Sequence, residues 1–283
     1  SKWLMQKYPP LADPHGGPDP RAYNGLVDPF YRGAFDARVP VRLVHADQLG
    51  DVTPETHPVL VVSGLYLAAD DTLDGLRAYA EGGGHLVVGP RTGYADPEGR
   101  ARTDRMPARL AEATGVWYDE YSNLTDDLPV TATADGLPLN DLARATRWVD
   151  GLVVEDATVL AEYDHPHFGQ WPAVTTKAVG EGRITYVGTV PNLDLARALL
   201  TWLVPNRGDG WRALPPSVTA SGATAPDGRR VRFVHNWSFT STTVRLPVAV
   251  ADALGDDRFE AGTELPLGPW DVRVLIETAL PGR

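Results

Sequence analysis

Apolar and polar positions along this chain follow two different rhythms, and the change from one to the other falls just after residue 205. In the first part, short β-branched runs are set between helical stripes. Residues 41–45 (VRLVH) and 58–63 (PVLVVS) read as strands of one parallel sheet. Leu73, Leu76, Tyr79 and Ala80 recur at three- and four-residue spacing and predict a helix over 72–81. Gly82, Gly83 and Gly84 stop it, because glycine tolerates the left-handed backbone that a helix end needs. Residues 85–89 (HLVVG) then form a short strand covered on both faces. The polar loop 90–96 follows at its carboxyl end, the edge of an open α/β sheet where ligands and functional loops collect.

A second helix is predicted over 105–114, ended by Gly115, and a strand over 116–121. Residues 130–188 are strand-rich: 146–154, 158–163, 173–179 and 183–188 read as strands, the last two joined by Gly180-Glu181-Gly182. A last helix over 193–203 carries Leu195, Leu199, Trp202 and Leu203 on one side and stops before Pro205. Residues 206–210 (NRGDG) make a polar, glycine-rich hinge. Beyond it the period drops to two, over 218–221, 231–238, 242–249 and 271–278, with breaks at Pro226-Asp227-Gly228 and Gly268-Pro269. The pattern therefore predicts a three-layer α/β domain over 1–205 and a small antiparallel β-sandwich over 211–283.

Length agrees with two domains, since 283 residues can bury two cores of ordinary size. The formal charge of −11, with no cluster of basic residues, argues against nucleic acid and anionic membrane as partners. There is no cysteine, which removes disulfides, thiolate metal sites and every cysteine nucleophile. No apolar run approaches the roughly 18 residues of a membrane span, and SKWLMQKYPP lacks a signal pattern, so a soluble, cytoplasmic chain is expected. Trp3-Leu4-Met5 reads as the tail of an element entered from upstream, so the chain is expected to be a piece of a longer protein.

The order of these pieces resembles the C-terminal half of glycoside hydrolase family 42 β-galactosidases. The matching residues run from Phe30-Tyr31-Arg32-Gly33-Ala34-Phe35 to Val39-Pro40-Val41, then through 60–67 and 76–96 with its GGG, LVV and RTG core. They continue with Pro107, Leu110 and Gly115-Val116, Pro172-Ala173-Val174-Thr175 with Gly180-Glu181-Gly182, Tyr186-Val187-Gly188-Thr189, and Trp270-Asp271-Val272-Arg273-Val274-Leu275. The resemblance implies an α/β trimerisation domain followed by a small β-domain, association into a homotrimer, and a parent enzyme that hydrolyses terminal β-D-galactosides with retention. It implies no cofactor and no metal. Retaining glycosidases need two carboxyl groups about 5 Å apart, which the family carries on a (β/α)₈ barrel of roughly 250 residues. Nothing in this chain encodes such a barrel, so it is expected to be inactive alone, with Ser1-Lys2-Trp3 continuing a truncated first strand.

The α/β domain also looks flavodoxin-like, and similar to class I glutamine amidotransferases, whose cysteine nucleophile is absent here. Ser63, with His57 and Asp70 nearby in sequence, lacks the Gly-x-Ser-x-Gly elbow and reads as a strand-end residue bonded to backbone. Glu81, Asp96, Asp119 and Glu120 read as solvated surface carboxylates. The loop residues Arg91, Thr92, Gly93, Tyr94 and Asp96 are the candidate interface or ligand site, meeting a neighbouring domain or subunit. His165 and His167 lack a third metal ligand. His235-Asn236-Trp237 and Trp270 offer aromatic faces that suit a sugar, alongside a plain core role. Two other readings stand beside the first: a carbohydrate-binding accessory module, and an independent α/β hydrolase.

Overall fold

The computed structural model describes residues 1–133, 136–205 and 209–278, and these fall into two compact units. One comprises Ser1–Ala37 and Val41–Val204, the other Arg38–Pro40 and the chain from Pro205 onward. Most of the hinge, 206–208, lies outside the described residues.

The α/β unit opens with helices α1 (Lys2–Lys7) and α2 (Ala22–Asp36), followed by β1 (Val59–Val62), α3 (Asp70–Glu81) and β2 (His85–Val88). After the short α4 (Ala111–Thr114) come β3 (Val116–Trp117), β4 (Tyr121–Asn123), β5 (Leu128–Ala132), β6 (Arg144–Asp150) and β7 (Val153–Val154). Strands β8 (Thr158–Tyr163), β9 (Pro172–Val179), β10 (Gly182–Val187) and β11 (Thr189–Pro191) lead into α5 (Leu193–Leu203). The principal sheet is mixed, in the order β1-β2-β10-β9-β8-β5-β6-β11 with β4 also on β6. Its parallel part is β1, β2 and β10, with Val59 opposite His85 and Arg183 on His85's other side. The remaining pairings of this sheet are antiparallel.

Alternation along β2 gives the layering. Leu86 and Val88 join Leu73, Leu76 and Tyr79 of α3 in one core cluster. His85, which alternation places on the opposite face from Leu86, meets Trp202 of α5 edge-on, with ring centres 5.4 Å apart. Helices therefore cover both faces of the sheet. Helix α3 starts two residues earlier than the spacing predicts and ends at Glu81 as expected. The glycines behind it meet a second glycine turn: Glu181 donates its N–H to the Glu81 carbonyl (2.9 Å) and Arg183 to Gly84 (3.0 Å).

Five expectations are corrected. Residues 41–45 form no strand: Val41 and Leu43 are 45 % and 75 % exposed, and a β-branched run without a partner edge has nothing to pair with. Residues 1–3 do not continue a strand; they begin α1, which buries Met5. The helix predicted over 105–114 shrinks to a 3₁₀ turn and α4, because Met106 exchanges backbone hydrogen bonds with Tyr118 (3.0 and 2.8 Å) and Pro107 follows. The strands over 116–121 and 146–154 are each broken, the second at Gly151-Leu152 between β6 and β7. Helix α2 escapes the sequence reading because Pro29 lies inside it. Its buried face nonetheless runs Ala22, Leu26, Phe30, Gly33 and Ala34.

The second unit has β12 (Val218–Thr224), β13 (Arg230–Asn236), β14 (Thr242–Arg245), β15 (Val250–Asp252), β16 (Arg258–Phe259), β17 (Glu264–Leu267) and β18 (Val272–Glu277). They form a five-stranded antiparallel sheet, β12-β13-β18-β15-β16, and a two-stranded one, β14-β17. Both sheets contribute to one core around Val218, Val234, Val244, Leu265 and Leu275. Arg38 belongs to this unit, donating to the carbonyls of Arg212 (2.9 Å) and Pro215 (2.8 Å).

Candidate functional site

The loop after β2 is fixed to the end of β1 and the segment beyond it by backbone hydrogen bonds. Gly89 donates to the Val62 carbonyl (2.7 Å), Gly93 to Leu65 (2.8 Å) and Ala95 to Tyr66 (2.9 Å). Thr92 is fully buried, its hydroxyl donating to the Gly89 carbonyl at 3.0 Å. Arg91 and Gly93 both take left-handed backbone, with φ of 62° and 72°. At Gly93 that conformation is free of side-chain strain; at Arg91 it is held by what the side chain meets.

Arg91 turns inward, and only 7 % of it is exposed. Its guanidinium carbon lies 3.8 Å from the centre of the Tyr94 ring and 5.1 Å from those of Tyr66, Tyr121 and Trp148. These rings also touch one another: Tyr121 stacks on Trp148 at 4.8 Å, and Tyr66 meets Tyr94 at 5.3 Å. The π faces take the place of water around the cation. Nε and Nη1 of Arg91 have no hydrogen-bond partner among the described residues, so the aromatic box carries most of the compensation for burying the charge.

Beyond Trp148 lies a fully buried carboxyl group, Asp150. Trp148 Nε1 donates to its Oδ1 (2.8 Å) and the Tyr186 hydroxyl to its Oδ2 (3.0 Å). Burial pushes the Asp150 carboxyl up to about 7, against those two hydrogen bonds and the Arg91 charge, which pull it down. Burial likewise drives the phenols of Tyr118, Tyr163 and Tyr186 upward, so they stay neutral. With both oxygens hydrogen-bonded, Asp150 is a hub that ties Trp148 and Tyr186 together at the end of β6.

The structure thus gathers Arg91 and Tyr94 into one cluster, buries Thr92 and Gly93 beneath it, and leaves Asp96 at its edge. Asp96 accepts from the Arg100 N–H at 2.9 Å and faces the Arg100 guanidinium at 3.6 Å. Tyr66, Tyr121, Trp148 and Asp150 were not singled out from the sequence, and Tyr186 was named only within a family motif and not as part of this cluster. The available signal was Trp148-Val149-Asp150, an acid directly behind two apolar residues at the end of β6. Elsewhere, Ser63 donates to the Leu26 carbonyl at 2.8 Å, and His57 meets Thr56 at 2.9 Å. Glu81 pairs with Arg77 at 3.1 Å, and Asp119 and Glu120 are exposed. His165 Nδ1 accepts from the N–H groups of His167 and Phe168. Among the described residues no group of three or more His, Asp or Glu side chains could hold a metal ion, and no helix is long and apolar enough to cross a membrane.

The chain thus combines an α/β unit, in which an inward-facing arginine holds the loop after β2 in place, with an antiparallel β unit. The profile of the beta-galactosidase trimerisation domain matches residues 10–207, and the chain belongs to that family. The beta-galactosidase Bga of Halorubrum lacusprofundi is 30 % identical over 96 % of this chain and 40 % of its own length. BgaH of Haloferax lucentense is 28 % identical over 72 % of this chain and 29 % of its own. The chain therefore spans less than half of these relatives. Among solved structures, the beta-galactosidase from the same Halorubrum is similar over 98 % of this chain and 38 % of its own, with TM-score 0.72 and 29 % identity. The beta-galactosidase from Bacillus circulans sp. alkalophilus gives TM-score 0.80 at 18 % identity over 90 % of this chain and 38 % of its own, a likeness of fold.

Proposed function

We propose that this chain is the subunit-association region of a retaining β-galactosidase, and that it assembles as a homotrimer in a parent that hydrolyses terminal β-D-galactosides. The observation that carries the reading is the family match over 10–207 combined with relatives that are more than twice as long as the portion this chain matches. The parallel β1, β2 and β10 with α3 support a flavodoxin-like naming for that part of the unit. The association surface is formed by the half-exposed Tyr121 of β4 with the Tyr94 and Asp96 edge of the 91–96 loop, and the buried Arg91, Thr92 and Gly93 support it from within. A heterologous contact of this kind needs a rigid patch, which the aromatic box provides.

Light scattering over a hundredfold concentration range tests the association. The mass is expected to climb from 30.6 kDa toward three times that value, and Tyr121→Ala is expected to move the transition about tenfold higher in concentration, as for loss of one interface aromatic. A constant monomer mass would remove the reading. The chain alone is expected to leave a chromogenic β-galactoside intact; turnover that survives repurification and scales with protein would show instead an independent hydrolase. We further propose that the polar, glycine-rich stretch 206–210 is the domain boundary, and limited proteolysis is expected to cut there first, read by mass spectrometry of the fragments. A uniform ladder would count against two independently folded domains.

A further inference from the structure

Four aromatic rings stand together on the β unit, at one end of the β12-β13-β18 sheet. His235 lies in β13, opposite Thr219 of β12 and Val272 of β18. Trp237 follows that strand and stacks on His235, with ring centres 5.0 Å apart and planes 17° apart. Trp270, just before β18, meets Trp237 at 6.1 Å and 85°, and Phe239 meets Trp270 at 5.3 Å and 74°. Trp237, Trp270 and Phe239 are 44 %, 51 % and 83 % exposed within the chain. Packing within the unit does not account for so much aromatic surface in one place.

Three further observations say what the place is built for. Trp270 has φ of 52°, a left-handed conformation that a bulky side chain adopts only when its surroundings hold it there. The loops bearing the rings are tied down. The buried Asn236 side chain donates to the carbonyls of Thr240 (2.8 Å) and Gly268 (2.7 Å), and the Trp270 N–H donates to the Ser238 carbonyl (3.0 Å). The rim is polar and carries no unpaired cation among the described residues: Trp237 Nε1 donates to Thr219 Oγ1 at 2.7 Å, Ser238 and Thr240 carry hydroxyls, and Arg273 is shared between Asp271 (3.7 Å) and Asp252 (3.6 Å). Among the described residues none accepts from the Trp270 indole N–H.

We propose that this corner of Trp237, Trp270 and Phe239 is a binding site for a neutral pyranose sugar. Two ring faces at nearly a right angle receive the C–H face of one sugar ring and the edge of the same or the next ring, while hydroxyl groups meet the rim. Size decides against a protein partner. At about 150–250 Å² per aromatic side chain, the exposed parts of the three rings come to roughly 400 Å², about half of the ~800 Å² that each partner gives to a stable protein interface. With Arg273 already shared between Asp271 and Asp252, no cation of this rim is left among the described residues to receive a carboxylate or phosphate, which favours an uncharged ligand. Because the rings are fixed beforehand, little ordering accompanies binding, and a dissociation constant in the millimolar range is expected for a single disaccharide.

The test uses the full 283-residue chain and lactose as probe, read by saturation-transfer NMR of the sugar protons and by tryptophan fluorescence. Wild type is expected to show saturable transfer to the sugar C–H protons and a saturable fluorescence shift. Trp270→Gly removes the ring and also suits the left-handed backbone, so it should remain folded while losing at least tenfold in affinity. Phe239→Ala, at a largely exposed position, should weaken binding by a smaller factor. Absence of saturation at hundreds of millimolar lactose, or binding that survives Trp270→Gly in a folded protein, overturns the proposal. So does a loss of self-association in Trp270→Gly by light scattering, which would assign the rings to a subunit contact. Failure of wild-type association alone would touch the trimer reading and leave the sugar site standing.

Discussion

Asp150→Asn is expected to make the α/β unit more stable than wild type above neutral pH, by about 4 kcal/mol at pH 8, and to remove most of the difference at pH 4. The carboxyl group is fully buried, and its pKa rises from 3.8 unfolded to about 7 folded because burial disfavours the charged form. An acid whose folded pKa is raised binds its proton more tightly in the native state, so its contribution is greatest below pH 3.8. That contribution falls as pH rises between 3.8 and about 7 and is constant beyond. The span, at about 1.4 kcal/mol per unit, amounts to about 4 kcal/mol. Asparagine keeps an acceptor for Trp148 Nε1 and presents its amide to the Tyr186 oxygen, so the hub stays hydrogen-bonded without the charge. Urea unfolding of both proteins across this pH range is the measurement. Stability curves that run parallel would show that Asp150 is ionised in the folded protein throughout.

Gly182→Ala is expected to destabilise the same unit by about 3 kcal/mol, at the upper end of what overpacking a close contact costs. A β-carbon at Gly182 would overlap the carbonyl oxygens of Ala80 and Gly84, and one at Gly180 would overlap that of Glu81. These are backbone atoms at the end of α3, which give way only if the helix and the β9-β10 turn separate. The control is Gly75→Ala, within α3, where a β-carbon meets nothing within 4 Å. That change is expected to stabilise by about 0.5–1 kcal/mol, the usual difference between glycine and alanine in a helix. The two substitutions are chemically identical and opposite in sign, so denaturation midpoints of the pair separate crowding from helix propensity. Equal shifts would remove the packing argument.

The contrast between these two glycines shows where reading from sequence stops. The triple glycine at 82–84 and the turn at 180–182 are each legible as chain breaks, because glycine's conformational freedom is a local property. That the two breaks lie against each other, and that this contact is why neither Gly180 nor Gly182 has room for a side chain, depends on β10 pairing with β2 across almost a hundred residues of chain. Local periodicity likewise located α3, α5, β1, β2 and most strands of the β unit, since their apolar spacing is set by which face they bury. It failed at 41–45, where strand propensity found no partner edge, and at α2, where Pro29 hid a helix that packing sustains.

At the site, the sequence by itself determined that a polar loop leaves β2, that Arg91 and Tyr94 lie on it, and that no cysteine chemistry is open to the chain. It also carried the order of motifs that marks the family. Only the tertiary structure decided that Arg91 points inward among Tyr66, Tyr94, Tyr121 and Trp148, and that Asp150 sits dry behind them with its pKa near neutrality. The division has a physical origin. Turn and helix signals arise from backbone preferences that act within a few residues, whereas the environment of a charge is set by whichever distant side chains exclude its water.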